Sequence, residues 1–244
     1  MSDLQNKVAY ITGGSKGIGL GIAKTLLDNG MRVAITGRNL DATQKVATSL
    51  SGDDSRILAI QSNVGSMSNE TNAIKATVDH FGQIDVLVAN AGVGYFAPID
   101  TMTEQQWKET IDTNLTGVFH TVKAGMDAIK NSKGYIITIA SLAGTNFFEK
   151  GAAYNASKFG LVGFTQAIML DLRKYGIKVS TIMPGSVATN FANNEPFANQ
   201  PSEKSESWKI QPEDIGRLVL DLLNMDPRTL PSKIEVRPST PPSK

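Results

Sequence analysis

The stretch Val8–Gly19, which reads Val-Ala-Tyr-Ile-Thr-Gly-Gly-Ser-Lys-Gly-Ile-Gly, decides the fold. Its first four residues predict a short buried strand, and an amphipathic helical pattern begins at Ile18. Glycine permits positive φ values and a close approach of the backbone to a ligand. The N-terminus of the following helix offers unpaired N–H groups and a positive dipole end to an anion. We therefore predict a pyrophosphate-binding turn, with a tight turn that binds no ligand as the alternative. It is not a Walker loop, because no Lys-Ser or Lys-Thr follows the final glycine.

Strand and helix patterns alternate along almost the whole chain. The predicted strands are Val8 to Ile11, Val33 to Thr36, Ile57 to Ile60, Val86 to Ala89, Tyr135 to Ile139, Val179 to Met183 and Ile234 to Val236, each read as buried. The predicted helices include Ile18 to Asn29, Leu40 to Leu50, Met67 to Phe81, Glu104 to Ile129 and Tyr154 to Tyr175. This order favours an α/β fold of the Rossmann type, a doubly wound parallel sheet of about seven strands with helices on both faces. Ligands of such sheets bind beyond the C-terminal ends of the strands.

Length and composition exclude several classes of protein. A chain of 244 residues with 41% apolar residues can form one α/β domain, and we expect residues 1–244 to be a single domain. The net charge of +1 predicts no attraction to nucleic acid or to a membrane surface. The absence of cysteine excludes disulfides, thiolate metal sites and a cysteine nucleophile. No basic leader or membrane-spanning run is evident, so we expect a cytoplasmic protein.

Two segments interrupt the alternation. Residues 184–210 are polar but contain Phe191, Phe197 and Trp208, which favours a substrate lid over a bare linker. The tail, residues 237–244, contains three prolines and is expected to be irregular.

A Tyr-x-x-x-Lys pair, Tyr154 and Lys158, stands 13 residues after Ser141. Residues four apart lie on one face of a helix. A nearby ammonium favours a phenolate, so we expect Lys158 to lower the pKa of Tyr154 from about 10. Such a phenol could exchange protons near neutral pH. Taken alone, the pair also fits an ordinary solvated helix, and Ser141 fits a turn cap.

Several motifs in register resemble the short-chain dehydrogenase/reductase family. They are Thr12-Gly13-x-x-x-Gly17-x-Gly19, Asn90-Ala91-Gly92, Asn114, Ser141, Tyr154-x-x-x-Lys158, and Pro184-Gly185 with Thr189. The match spans roughly residues 5 to 225, and the chain looks most similar to the 3-oxoacyl-carrier-protein reductase type and neighbouring carbonyl reductases. The resemblance implies a cofactor site made of Gly13, Ser15, Lys16, Gly17, Ile18, Gly19, Arg38, Asn63, Val64, Asn90, Ala91, Gly92, Tyr154, Lys158, Pro184, Gly185 and Thr189.

The end of the second strand indicates which dinucleotide is bound. A carboxylate there would bond the ribose 2′-hydroxyl of NAD, but the chain reads Thr36-Gly37-Arg38-Asn39. Arg38, helped by Lys16, can bind a 2′-phosphate. We therefore predict NADP(H); a solvated surface role for Arg38 is the alternative. Asn63 stands where the family usually has Asp at the adenine contact, and its amide oxygen can accept the same hydrogen bond.

The resemblance also implies the chemistry: reduction of a carbonyl by hydride transfer from the nicotinamide. Tyr154 would give a proton to the carbonyl oxygen, Lys158 would stabilise the phenolate and hold the nicotinamide ribose, and Ser141 would position the carbonyl. Asn114 would support a water chain that reprotonates the site through Lys158. For Asn114, a helix N-cap is the alternative role.

Aromatic residues suggest an apolar substrate pocket. Tyr95, Phe96, Phe147, Phe148, Phe191 and Phe197 all lie in segments expected at the carbonyl end of the cofactor. A 3-oxoacyl thioester, borne by acyl carrier protein or coenzyme A, ranks first, and small free carbonyls are the alternative. A non-catalytic NADP(H)-binding regulatory protein and an NAD-dependent alcohol dehydrogenase rank lower.

Two further expectations concern metals and assembly. His80 and His120 lack the partners of a metal site or triad and read as solvated or packed helix residues, so no catalytic metal is predicted.

Members of the family that the chain resembles are commonly tetramers built on the helices near residues 115 to 130 and 155 to 175. The chain lacks their usual C-terminal ending, so a homotetramer or a homodimer is expected.

Overall fold

The computed structural model describes residues 4–189, 191 and 207–240. It contains seven parallel strands and seven α-helices in those ranges. The strands are β1 Val8–Ile11, β2 Arg32–Gly37, β3 Ile57–Gln61, β4 Val86–Ala89, β5 Tyr135–Ile139, β6 Lys178–Pro184 and β7 Lys233–Val236. The helices are α1 Gly17–Asp28, α2 Leu40–Leu50, α3 Met67–Phe81, α4 Glu104–Ile111, α5 Gly117–Ser132, α6 Ala152–Leu172 and α7 Pro212–Asn224.

The sheet has the strand order β3-β2-β1-β4-β5-β6-β7, and every pairing is parallel. The order reverses between β1 and β4, where a crevice opens at the C-terminal edge. The prediction of a doubly wound Rossmann sheet of about seven strands is therefore confirmed.

Alternation along the strands divides the core between the two faces of the sheet. In β1, Ala9 and Ile11 pack with α1 and α7, whereas Val8 and Tyr10 pack with α3, α5 and α6. Every residue of β1 and β4 is buried, because both strands are covered on both faces.

The two edge strands differ from the prediction of fully buried strands. In β7 the pattern alternates between exposed and half-buried residues, and in β3 only Ile57 is fully buried. An edge strand has a neighbour on one side only and is less completely covered by helices.

The predicted helix from Glu104 to Ile129 is interrupted. A π-helical turn over Asp112–Thr116 separates α4 from α5. Such turns insert an extra residue and often occur at functional sites. Helix α6 also ends earlier than predicted, at Leu172, and a 3₁₀ turn, Arg173–Tyr175, follows it.

The segment predicted as a lid is described only in part. Residues 190 and 192–206, and with them Phe197, lie outside the described residues. Val187 and Ile210 pair as an isolated parallel bridge, which brings the two ends of the segment together. Residues 237–240 of the tail have no regular structure, and residues 241–244 lie outside the described range.

Candidate active site

The glycine loop after β1 is tied to the loop after β4. The Thr12 hydroxyl accepts hydrogen bonds from the backbone N–H groups of Asn90 and Ala91, each at 3.0 Å. The Asn90 side chain in turn donates to the carbonyls of Thr12 and Gly13, at 2.8 and 3.2 Å. These bonds fix the two loops that face each other across the point where the strand order reverses.

The glycines of the loop occupy positions that other residues would not fit. Gly13 and Gly17 have φ values of +63° and +54°, in the left-handed region. A Cβ at Gly19 would lie 2.5 Å from both the Gly13 carbonyl oxygen and the Asn90 amide nitrogen. Helix α1 begins at Gly17, so the unpaired N–H groups of its first turn lie at the crevice floor and are available to bind an anion.

A single cavity of about 670 Å³ connects the two ends of the crevice. Among the predicted site residues it is lined by Gly13, Ser15, Lys16, Gly17, Ile18, Arg38, Asn63, Val64, Asn90, Ala91, Gly92, Ser141, Tyr154, Lys158, Pro184, Gly185 and Thr189. Two predicted residues do not line it. Gly19 packs beneath the glycine loop, and Asn114 lies fully buried behind the Asn90-Ala91-Gly92 loop.

Sequence reasoning missed several lining residues. Val93, Ile139 and Val187 each follow or end a segment already assigned to the site, and that position could have identified them. Pro212 and Glu213 at the start of α7, and Lys209 just before it, line the cavity. Helix α7 reaches the cavity because Gly21 of α1 allows a close crossing. A Cβ at Gly21 would meet the Pro212 backbone at 2.5 Å, a contact that sequence periodicity does not reveal.

Ser141, Tyr154 and Lys158 meet at one end of the cavity. Ser141 caps a 3₁₀ turn, where its hydroxyl accepts from the Ala143 N–H at 3.1 Å. Tyr154 and Lys158 lie on one face of α6, as the spacing predicts. The Lys158 ammonium lies 5.7 Å from the centroid of the Tyr154 ring and donates to the Ile139 carbonyl at 3.0 Å. The structure thus brings the three predicted side chains to one end of the cavity, and Ser141 also has the turn-capping role that was its alternative.

The predicted direction of the Tyr154 pKa is wrong. Burial raises the pKa of Tyr154 to about 12, although its hydrogen bond with Ser141 acts in the opposite direction. Burial also lowers the pKa of Lys158 to about 8. The ammonium is directed toward the Ile139 carbonyl rather than the phenol oxygen, so desolvation of the phenolate dominates. Tyr154 is therefore protonated at neutral pH.

Asn114 occupies the π-helical turn and braces the loop after β4. Its side-chain oxygen accepts from the Val93 N–H at 2.8 Å, and its amide group donates to the Val93 carbonyl at 2.8 Å and the Ser157 hydroxyl at 3.1 Å. A Cβ at Gly92 would lie 3.3 Å from the Asn114 side chain and 3.9 Å from the Lys158 ammonium. Asn114 is thus in the neighbourhood of Lys158, inside the helix rather than at an N-cap.

The far end of the cavity carries the two predicted cations. Lys16 and Arg38 are exposed and line it, and β2 ends at Gly37 without a carboxylate. The turn after β3 is held by its own hydrogen bonds. The side-chain oxygen of Asn63 accepts from the Gly65 N–H at 3.0 Å. His120 lies packed on α5, where its Nδ1 contacts the Val64 carbonyl at 2.9 Å.

Within residues 4–189, 191 and 207–240, no three His, Asp or Glu side chains converge as metal ligands would. Over the same ranges, no helix combines the length and apolar character needed to cross a membrane.

Comparison with known proteins places the chain in a family. The family model described as short chain dehydrogenase matches residues 7–199. The chain is 31% identical over 242 residues to an uncharacterized oxidoreductase of Staphylococcus saprophyticus, covering 98% of this chain and 100% of that protein. It is 29% identical to the glycine betaine reductase of Emericella nidulans over 98% of this chain and 19% of that protein.

Solved structures agree with this assignment. An alcohol dehydrogenase from Thermococcus sibiricus, complexed with 5-hydroxy-NADP, superposes with a TM-score of 0.87 at 28% identity, covering 98% of this chain and 100% of that one. A short-chain type dehydrogenase/reductase from Mycobacterium marinum gives 0.85 at 30% identity, covering 96% and 95%. The chain belongs to the short-chain dehydrogenase/reductase family. It is therefore an oxidoreductase of a family that binds nicotinamide cofactors.

Proposed function

We propose that the protein is an NADPH-dependent reductase that converts a carbonyl to an alcohol. The observation that carries the proposal is the position of Ser141, Tyr154 and Lys158 at one end of the cavity whose other end holds the glycine loop. The loop offers N–H groups to a pyrophosphate, and the cavity is long enough to connect it with the phenol. The bound cofactor would supply the hydride that reaches the carbonyl carbon.

The side chains supply the rest of the chemistry. Tyr154, protonated at neutral pH, gives its proton to the carbonyl oxygen as negative charge develops there. Ser141 donates a second hydrogen bond to that oxygen and fixes its position. Lys158 is mainly protonated at pH 7, so its charge stabilises the phenolate left after the transfer. Asn114 supports a water path that returns a proton through Lys158.

Two observations support NADP(H) over NAD(H). Lys16 and Arg38 present two cations to the cavity, and no carboxylate follows β2 to bond a ribose 2′-hydroxyl. The structure from Thermococcus sibiricus contains an NADP derivative. Asn63 and Val64 would hold the adenine, and Pro184, Gly185 and Thr189 the nicotinamide end.

We rank a 3-oxoacyl thioester first among substrates, carried by acyl carrier protein or coenzyme A, as the resemblance implies. A broad-specificity reductase of small free carbonyls is the alternative. A non-catalytic NADP(H)-binding regulatory protein ranks last, because such a protein has no need of Ser141, Tyr154 and Lys158 together.

We also propose a single-domain, cytoplasmic homo-oligomer whose segment 184–210 closes over the substrate, and we propose no catalytic metal. Phe119 on α5 and Phe159 on α6 are large apolar side chains that remain 46% and 42% exposed. These helices form the expected subunit contact, and solution mass measurement would distinguish a tetramer from a dimer or monomer.

The decisive experiment follows NADPH and NADH oxidation in parallel with acetoacetyl thioesters, simple ketones, aldehydes and diketones. Turnover of thioesters with NADPH supports the first-ranked substrate, and turnover of free carbonyls alone supports the alternative. Tight NADPH binding without turnover supports the regulatory protein, and faster turnover with NADH contradicts the role of Arg38.

A further inference from the structure

Three phenylalanines surround the ring of Tyr154. The ring centroids of Phe96, Phe191 and Phe148 lie 5.5, 5.7 and 6.4 Å from that of Tyr154. Phe96 and Phe148 are also 5.8 Å apart. We call Phe96, Phe148 and Phe191 the phenylalanine collar. They come from three separate loops, so the fold rather than the local sequence brings them together.

Backbone contacts hold two sides of the collar in place. The Ala97 N–H donates to the Lys150 carbonyl at 3.1 Å, which joins the loop of Phe96 to that of Phe148. Gly94 leaves no free space, since a Cβ there would lie 2.8 Å from both Phe96 and Phe191. The collar is therefore tightly packed on the side of Gly94.

The other side of the collar remains accessible. Phe148 is 48% exposed, and Phe191 lines the same cavity as Ser141 and Tyr154. The ring of Tyr154 lies in apolar surroundings, because three phenylalanine rings adjoin it. A carbonyl oxygen within hydrogen-bond distance of the phenol would place the groups attached to its carbon near Phe191, which lines the cavity. Phe96 and Phe148 do not line the cavity but adjoin the Tyr154 ring.

We propose, on the basis of the reductase function above, that the site selects carbonyl compounds with a bulky apolar arm, an aryl group or an extended acyl chain. Small polar carbonyls such as hydroxylated ketones are poor substrates. Aromatic rings favour edge-to-face and offset contacts with a flat apolar group, and they offer no hydrogen bond to hydroxyl groups. The preference applies to the arm, and thus to thioesters and free ketones alike.

The selection is tested by comparing NADPH-dependent turnover of three compounds. They are the diketones 1-phenylpropane-1,2-dione and butane-2,3-dione and the hydroxylated ketone dihydroxyacetone. We expect kcat/KM to be at least about tenfold higher for the phenyl compound than for butanedione, and lowest for dihydroxyacetone. Phe96→Ala should lower kcat/KM for the phenyl compound at least about fivefold and change that for butanedione less than about twofold. Phe147→Ala is the matched control, since Phe147 is 85% exposed and should change neither value.

Equal turnover of the phenyl compound and butanedione would overturn the proposal. An equal loss on both compounds in Phe96→Ala would also overturn it, because the collar would then serve only to hold Tyr154.

A binding measurement separates this proposal from the proposed reaction. Benzamide and acetamide carry the same carbonyl with an apolar or a methyl arm and are not reduced. Calorimetry with the NADP⁺-saturated protein should show at least about tenfold tighter binding of benzamide. Tighter binding of benzamide without turnover of any carbonyl would contradict the reductase function but support selection by the phenylalanine collar. Equal binding of the two amides, together with turnover of carbonyls, would contradict selection by the collar but support the reductase function.

Discussion

The Lys158 ammonium and the Tyr154 ring lie 5.7 Å apart, with the ammonium bonded to the Ile139 carbonyl and not to the phenol. Lys158 is buried and Tyr154 is half-buried, and desolvation shifts their pKa values in opposite directions. It keeps the phenol protonated and weakens the hold of the amine on its proton. Near neutral pH the pair therefore consists of a neutral acid beside a cation.

The pH dependence of stability follows from Lys158. Its folded pKa of about 8 lies below its ordinary value of 10.5, so the folded state disfavours the charged form. This cost is fully present below pH 8 and disappears as the pH rises to 10.5, because the unfolded chain then also loses the proton. The difference between the two pKa values corresponds to a cost of roughly 3 kcal/mol.

The test compares urea unfolding of the wild type and Lys158→Met between pH 7 and 10.5. The stability of the wild type relative to the variant should rise by about 2 to 3 kcal/mol across this range. A constant difference between the two proteins would show that Lys158 has an ordinary pKa.

Arg38 should decide the preference between the two dinucleotides. A charge-assisted contact with a phosphate contributes about 1.5 to 3 kcal/mol, so Arg38→Ala should weaken NADPH binding roughly ten- to a hundredfold. NADH binding should change less than about twofold, because NADH lacks the 2′-phosphate that Arg38 would contact. Fluorescence titration measures both affinities, with Arg228→Ala as control because Arg228 is exposed and paired with Asp226. An equal loss of affinity for both cofactors would mean that Arg38 maintains the shape of the site and does not bind the 2′-phosphate.

Two glycine substitutions should have opposite effects. Gly19→Ala places a Cβ 2.5 Å from the Gly13 carbonyl and the Asn90 amide, so the glycine loop must shift and NADPH affinity should fall at least about tenfold. Gly163→Ala, within α6, meets nothing within 4 Å. It should raise the free energy of unfolding by about 0.5 to 1 kcal/mol and leave NADPH binding unchanged. Unchanged NADPH affinity in Gly19→Ala would contradict the close packing of the loop.

Glu70 should be a strong contributor to stability. It is fully buried on α3 and accepts from the hydroxyls of Ser62, Thr121 and Tyr10 at 2.6, 2.8 and 3.2 Å. Glu70→Ala leaves the Ser62 and Tyr10 hydroxyls without this acceptor and opens a cavity, while Thr121 keeps its bond to the Gly117 carbonyl at 2.9 Å. It should cost about 3 to 5 kcal/mol. Chemical denaturation measures the loss, and the exposed Glu149→Ala should change stability less than about 0.5 kcal/mol. A loss below about 1 kcal/mol for Glu70→Ala would mean that the three hydroxyls readily find other partners.

Most of the fold, and the strand ends that line the cavity, could be predicted from the sequence. Apolar runs such as Val86–Ala89 specify buried parallel strands, and parallel strands place the residues that follow them at one edge. Thr12, Asn90 and Ser141 therefore come together because each follows a strand.

The features that could not be predicted depend on contacts between distant segments. The π-helical turn at Asn114 has no signal in helical periodicity, since that residue's bonds to Val93 and Ser157 stabilise it. The pKa of Tyr154 depends on how completely other loops bury it. Of the aromatic residues expected at the substrate end, Phe96, Phe148 and Phe191 surround Tyr154. Tyr95 instead donates to Glu109, and Phe147 is exposed.

The measurement that tests the central claim most directly is NADPH oxidation by Tyr154→Phe, alongside NADPH affinity by fluorescence. The variant keeps the ring among its neighbours and removes only the hydroxyl that gives the proton. We expect kcat/KM for a reducible carbonyl to fall about 10²- to 10⁴-fold, with NADPH affinity within about twofold of the wild type. Turnover within about tenfold of the wild type would contradict the assignment of Tyr154 as the proton donor.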